Sequence, residues 1–91
     1  MADIRKRIVF HGRVQGVGFR YTARYAADSL GLTGWVQNHY DGTVEMEVQG
    51  PELKINKLLV RLSTDHFVRI EWMDQMQIPL EPNERKFRVM Y

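Results

Sequence analysis

The sequence predicts an α+β fold, a split βαβ sandwich in which one antiparallel sheet carries two helices on a single face. Three observations predict it. Two segments repeat apolar residues at helical spacing. The segments around them alternate apolar and polar residues with a period of two. The order is β-α-β-β-α-β with a short terminal strand, the ferredoxin-like arrangement. A chain of 91 residues has room for one domain, spanning residues 1–91, and one core.

The first strand is read over residues 7–14, with Ile8 and Phe10 on one face and Arg7, His11 and Arg13 on the other. The first helix is read over residues 19–30, where Phe19, Ala23, Ala26, Ala27 and Leu30 form an apolar stripe. Gly31 stands where a left-handed cap would end it. Residues 32–38 and 43–49 read as a hairpin around the turn signal Asp41-Gly42. Its second strand turns Val44, Met46 and Val48 to the core and Thr43, Glu45, Glu47 and Gln49 to water. Pro51 and Glu52 suit the first turn of a second helix. The core stripe of that helix is Ile55, Leu58, Leu59 and Leu62. A strand follows over about residues 67–78, with Val68, Ile70, Trp72, Met76 and Ile78 on one parity. Asp74 interrupts that face, which predicts a bend or bulge nearby. Pro79 and Pro82 mark a loop, and Phe87, Val89 and Tyr91 alternate through a last short strand. Trp35, Trp72 and Phe87 are expected in the core.

Composition narrows the function. The chain has no cysteine, which excludes a disulfide framework, a thiolate nucleophile and a cysteine zinc site. No apolar run approaches the ~20 residues of a membrane helix. At the N-terminus charge passes directly into a strand pattern, with no signal-peptide core. These features predict a cytoplasmic protein without membrane association. The net charge of +2 suits a small anionic ligand better than a nucleic acid.

The stretch Gly12–Arg20, GRVQGVGFR, carries the strongest chemical signal. A strand that enters a glycine-bearing turn and then opens a helix aims backbone N–H groups at one point, where the helix terminus adds positive partial charge. Gly16 and Gly18 let a phosphate-sized group approach the backbone. Arg20 adds a planar fork of donors matched to tetrahedral oxyanions. A second stretch, Gly34–Glu45, reads GWVQNHYDGTVE and places Asn38 at a strand end that this topology can bring beside the turn. A carboxamide both donates and accepts, so Asn38 can hold a water in one orientation. It can equally be a turn residue leading into Asp41-Gly42.

Together the two stretches resemble the acylphosphatase family. Gly12, Val14, Gln15, Gly16, Val17, Phe19 and Arg20 match the first family motif, and Gly34, Val36, Asn38, Asp41, Gly42, Val44 and Glu45 match the second. The chain departs from the family in one connection, where Ser63-Thr64-Asp65-His66 stands in place of the common Gly-Pro; this bears on loop geometry alone. The resemblance implies hydrolysis of the carboxyl–phosphate bond of an acyl phosphate to a carboxylate and inorganic phosphate, by a monomeric enzyme without metal or cofactor. It implies that Arg20 and the backbone N–H groups of Gln15, Gly16, Val17, Gly18, Phe19 and Arg20 hold the phosphoryl group, and that Asn38 orients the attacking water. It further implies that the terminal carboxylate of Tyr91 lies near Arg20.

His11, His39 and His66 are scattered, and structural or solvated roles are expected for them. Thr43 is a candidate to support Asn38. The alternative function is a non-catalytic phosphate- or RNA-binding module of the same fold, although the strands do not show the paired exposed aromatics of RNA binders. A third reading, action on carbamoyl phosphate, follows from the similar domain that opens hydrogenase-maturation carbamoyltransferases. That domain is followed by zinc-finger cysteines, which this sequence lacks.

Overall fold

The alternation of Ile8 and Phe10 with Arg7, Val9 and His11 builds the interior strand β1, Asp3–Arg13, in the computed structural model, which describes residues 2–91. The remaining elements are α1 (Phe19–Ser29), β2 (Thr33–Asn38), β3 (Val44–Pro51), α2 (Glu52–Ser63), β4 (Arg69–Ile78) and β5 (Phe87–Met90). The sheet order is β4-β1-β3-β2-β5. The first four strands in this order pair antiparallel, as expected. β5 instead runs parallel to β2, so the sheet is mixed. The reason lies in loop 79–86. It crosses the sheet end at which β4 finishes and β2 begins, and there it delivers Phe87 beside Gly34.

One face of the sheet is the core face. Ile8, Phe10, Val36, Val44, Met46, Val48 and Phe87 are buried there against Phe19, Ala23, Ala26 and Ala27 of α1 and Ile55, Leu58, Leu59 and Leu62 of α2. α1 ends in a Schellman pair, Leu32 N–H to Ala27 O at 2.9 Å and Gly31 N–H to Asp28 O at 3.2 Å. The connection 63–66 closes on an Asx turn, with Phe67 N–H donating to Asp65 Oδ1 at 2.9 Å.

Four sequence expectations change. The β1–β4 register shifts between His11 and Gly12, which face Trp72 and Ile70, leaving Glu71 as the extra residue of a bulge. A bulge near Asp74 is expected from the sequence, and it lies three residues before it; what changes is the parity of β4, which the bulge reverses. Trp72 and Met76 therefore lie on the outer face, 54% and 61% exposed, and Met73 turns toward the core in their place. Trp35 is half-buried on the same outer face, and of the three expected core aromatics only Phe87 is buried. Thr43 and Glu45, expected in water, are buried by polar partners. β1 starts at Asp3 and not at residue 7, because its charged opening is paired with β3 from Asp3↔Pro51 onward.

That charged opening holds the polar counterpart of the core. Arg5 is 1% exposed on the outer face. Its Nε donates to Glu47 at 2.9 Å, and its two terminal nitrogens take both oxygens of Glu84 at 2.7 and 3.2 Å. Gln49 adds bonds to the backbone of Glu81, so loop 79–86 is tied down at the same place. A bidentate guanidinium–carboxylate pair is among the stronger polar contacts, and leaving one partner buried alone is costly. Arg5→Met should therefore lower stability by about 2–3 kcal/mol, somewhat below a fully buried pair because Glu47 and Glu84 keep partial access to water. Urea unfolding of the two proteins measures this directly.

Candidate active site

The sheet end opposite loop 79–86 gathers the candidate residues. β1 leaves the sheet at Arg13, and Val14 and Phe19 are then buried 1% and 2% exposed. The Phe19 ring meets Phe10 edge-on, with centroids 4.9 Å apart. Both ends of the loop are thus fastened to the core, and the backbone between them faces outward. Gly16 and Gly18 take φ of 72° and 77°, the left-handed region. A Cβ on either would meet no protein atom within 4 Å, so the demand for glycine comes from the backbone conformation. Gly18 caps α1 with no side-chain hydrogen bond, and the first turn carries no acidic residue. Among the described residues no protein acceptor meets the N–H groups of Gly16 to Arg20. These are strong donors in a field that favours an anion.

β2 ends at Asn38 against this loop. A pocket of about 90 Å³ is lined by Val14, Gly16, Gly18, Phe19, Arg20, Tyr21 and Asn38. Asn38 Oδ1 is the one buried side-chain polar atom without a hydrogen-bond partner among the described residues. An acceptor left so is costly unless something donates to it. A wider, open groove of about 610 Å³ lies at the other end of the sheet, but the Arg5 in its wall is committed to Glu47 and Glu84.

Of the sequence candidates, the small pocket takes Gly16, Gly18, Phe19, Arg20 and Asn38; Gln15 lines, again with Asn38, an adjoining open groove of about 720 Å³, and Val17 lines neither. Val17 packs on the edge of the core. The Gln15 side chain turns to the hairpin, where its Nε2 donates to His39 O at 2.6 Å and Thr43 O at 2.8 Å. Arg20 is held by the chain end in a way that differs from expectation. Its Nη1 donates to the Met90 carbonyl at 3.1 Å, and its guanidinium lies 5.1 Å from the Tyr91 ring centroid; these groups, and not the terminal carboxylate, meet it. The hydroxyls of Tyr21 and Tyr91 are 2.6 Å apart, and that bond raises the Tyr91 pKa. Nothing in the sequence pattern pointed to Tyr21, an exposed helix position.

The hairpin that carries Asn38 is held from behind. His39 Nε2 lies 2.6 Å from Glu45 Oε1, and Arg7 Nε donates to the other oxygen of the same carboxylate. Burial pushes the Glu45 carboxyl up, but the hydrogen bonds and charges of Arg7 and His39 outweigh it and hold the pKa below the ordinary value. Thr43 bonds to Asp41 through both its hydroxyl and its backbone N–H, at 2.6 and 3.0 Å, so it braces the turn and makes no bond to Asn38. These bonds, the hydroxyl first, lower the Asp41 pKa. His11 pairs with Asp74 at 2.8 Å and stacks on Trp72, and His66 meets Phe67 at the surface; neither lines the pocket. Among the described residues no group of three His, Cys, Asp or Glu is arranged to hold a metal ion, and no helix is long and apolar enough to cross a membrane.

Comparison with known proteins bears on the family and the fold. The acylphosphatase family model matches residues 6–89. The chain is 43% identical over 88 residues to the acylphosphatase of Geobacillus thermodenitrificans, covering 96% of this chain and 94% of that one. It superposes on the crystal structure of acylphosphatase from Bacillus subtilis with a TM-score of 0.89 at 32% identity, covering 97% and 99% of the two chains. It also superposes on part of the crystal structure of T. kodakarensis HypF, with a TM-score of 0.83 at 29% identity, covering 97% of this chain and 12% of that one.

Two outcomes follow from the local physics. Gly18→Ala must place a Cβ in the left-handed region, which costs about 1–2 kcal/mol. The melting temperature should fall, and phosphate affinity should fall with it if the loop relaxes. The Glu45 carboxyl binds its proton less tightly in the folded than in the unfolded protein. Its contribution to stability is therefore complete above the ordinary value of 4.5 and is lost as pH falls below that value through the lowered one. Urea midpoints across the acid range should fall less steeply for Glu45→Gln than for the unaltered protein.

Proposed function

The chain belongs to the acylphosphatase family, and on that premise we propose that the pocket hydrolyses acyl phosphates by direct attack of a water on a phosphoryl group seated at the loop. The observation that carries this reading is the coincidence, in one pocket, of unpartnered N–H donors, Arg20 and the unpartnered acceptor Asn38 Oδ1. The donors and Arg20 bind the non-bridging phosphoryl oxygens. Asn38 accepts a hydrogen bond from the water and so aligns its lone pair with phosphorus.

The chemistry asks for little more. A carboxylate is a good leaving group, so the transition state is loose and needs charge stabilisation and alignment more than a strong base. The water oxygen bonds to phosphorus as the bond from phosphorus to the bridging oxygen breaks. The carboxylate leaves with that electron pair, and the protons of the water remain on phosphate or pass to solvent. Preorganised donors of this kind contribute roughly 2.7–4 kcal/mol each in comparable oxyanion sites. Arg20 is itself preorganised by the Met90 carbonyl and the Tyr91 ring, which limits the rotamer freedom it loses on binding.

The reading extends to a cytoplasmic monomer acting on a small molecule. It is favoured over a nucleic-acid module because the net charge is only +2 and because the centre of the outer face is taken by ion-paired Glu45 and Glu47, which leaves Trp35 and Trp72 far apart on β2 and β4. The likeness to HypF covers a small part of that chain, and none of the larger protein's chemistry is carried over.

Benzoyl phosphate hydrolysis tests the roles. Arg20→Ala should lose both phosphate affinity and turnover. Asn38→Ala should keep phosphate affinity, read from product inhibition, while its kcat falls by about 10²–10³, the scale of one lost oriented group. Full turnover in Asn38→Ala would sink the water-orienting role.

A further inference from the structure

The Gln15 side chain is absent from the lining of the small pocket and lies on the open groove of about 720 Å³ that shares Asn38 with it, and it makes the two side-chain hydrogen bonds that join the loop 14–18 to the hairpin among the described residues. One amide nitrogen reaches two carbonyls on opposite sides of the hairpin neck, His39 O at 2.6 Å and Thr43 O at 2.8 Å. The same neck is closed by His39 N–H donating to Thr43 O at 2.9 Å. His39 directly follows Asn38, and its own ring is fixed on Glu45. The peptide after Asn38 is therefore held from one side by the sheet network and from the other by the phosphate loop itself.

We infer that the Gln15 side chain is the positioning residue for the reaction, setting the separation between the phosphoryl seat and the water held by Asn38. This rests on the water-orienting reading of Asn38. The physical argument concerns alignment. The seat is built on residues 16–20 and the water site on residue 38, two segments whose backbones are not hydrogen-bonded to each other as strands. Attack in line with the leaving group tolerates little error, and a displacement of about 1 Å can cost a factor of 10² in rate. A bond from the residue next to the seat to the residue next to the water acceptor controls that distance with the fewest intervening rotatable bonds. The glutamine amide suits this role because it offers two donors on one planar nitrogen and adds no charge beside the phosphoryl group.

The test uses Gln15→Met, which keeps the length of the side chain and removes both donors. With benzoyl phosphate as substrate, kcat should fall by about tenfold or more while the inhibition constant of inorganic phosphate changes by less than about twofold. A residue that merely braces the fold would lower the melting temperature without this split. In an Asn38→Ala background, Gln15→Met should change turnover by less than about twofold, because the group it positions is gone. If Gln15→Met keeps full kcat, if kcat and phosphate affinity fall together, or if its effect multiplies with that of Asn38→Ala, the positioning role is wrong. Full turnover in Asn38→Ala alone would remove the reading beneath it, an outcome separable from failure of Gln15→Met by itself. Should Gln15→Met not fold, Gln15→Lys and Gln15→Glu are compared at saturating substrate. The lysine, which still donates to the two carbonyls, should retain the higher kcat while the two variants keep similar inhibition constants for phosphate; equal kcat values, or a kcat difference matched by one in phosphate affinity, would overturn the proposal.

Discussion

The contact between Phe10 and Phe19 underlies the rest of the candidate site. It joins the last core residue of β1 to the first residue of α1, so the chain that leaves β1 after Arg13 must turn back through residues 14–18 to bring the two rings together. Val14, buried at the start of that turn, shortens the free arc further. A chain constrained in this way cannot satisfy its own amides by regular pairing. The left-handed glycines direct them outward, and α1 begins with its first amides bare. The proposed anion affinity therefore follows from hydrophobic packing: apolar burial holds the polar groups in the arrangement that an isolated loop would lose to entropy.

The outer face works by different physics. Arg5, Arg7, Glu45, Glu47 and Glu84 form two ion-paired groups on β1, β3 and the loop that crosses the sheet end. Such groups contribute modestly to net stability but penalise misplacement heavily, because any slip of register strands a buried charge. The two groups start only two residues apart on β1 and reach in opposite directions along the sheet. The Arg5 group fixes where loop 79–86 lies, and through it where β5 and the Met90 carbonyl come to rest. The Arg7 group fixes the hairpin behind Asn38.

The sequence was most informative where conformation is local. Gly16 and Gly18 before the stripe of α1, and Asp41-Gly42 between two alternating runs, announce their geometry through residue type alone, and both site segments were legible for that reason. The arrangement was less so wherever distant segments decide it. The period of β4 reads smoothly through Trp72 and Met76, and only the pairing of Gly12 and His11 with a strand carrying one extra residue turns those side chains outward. Glu45 looks like a water-facing strand residue until Arg7 and His39 close over it. Tyr21 carries no pattern at all, and the alternation that includes Tyr91 does not point to it; the two meet because β5 lies parallel to β2 and carries Tyr91 past the start of α1.

The strand order has a further consequence for how the chain comes together. β1 is made first, yet its two neighbours are β3 and β4, and the second of these pairings joins residues 3–13 to residues 69–78. Pairings this distant in sequence form slowly, since the loop entropy must be met before any contact rewards it. Until β4 arrives, β1 presents an open edge to other copies of itself, the usual template for intermolecular sheet growth. The basic residues Arg5, Lys6, Arg7 and Arg13 along that strand give nascent chains a like-charge repulsion at the edge during this interval. The residues that later order the outer face thus also guard the unfinished sheet against its own kind.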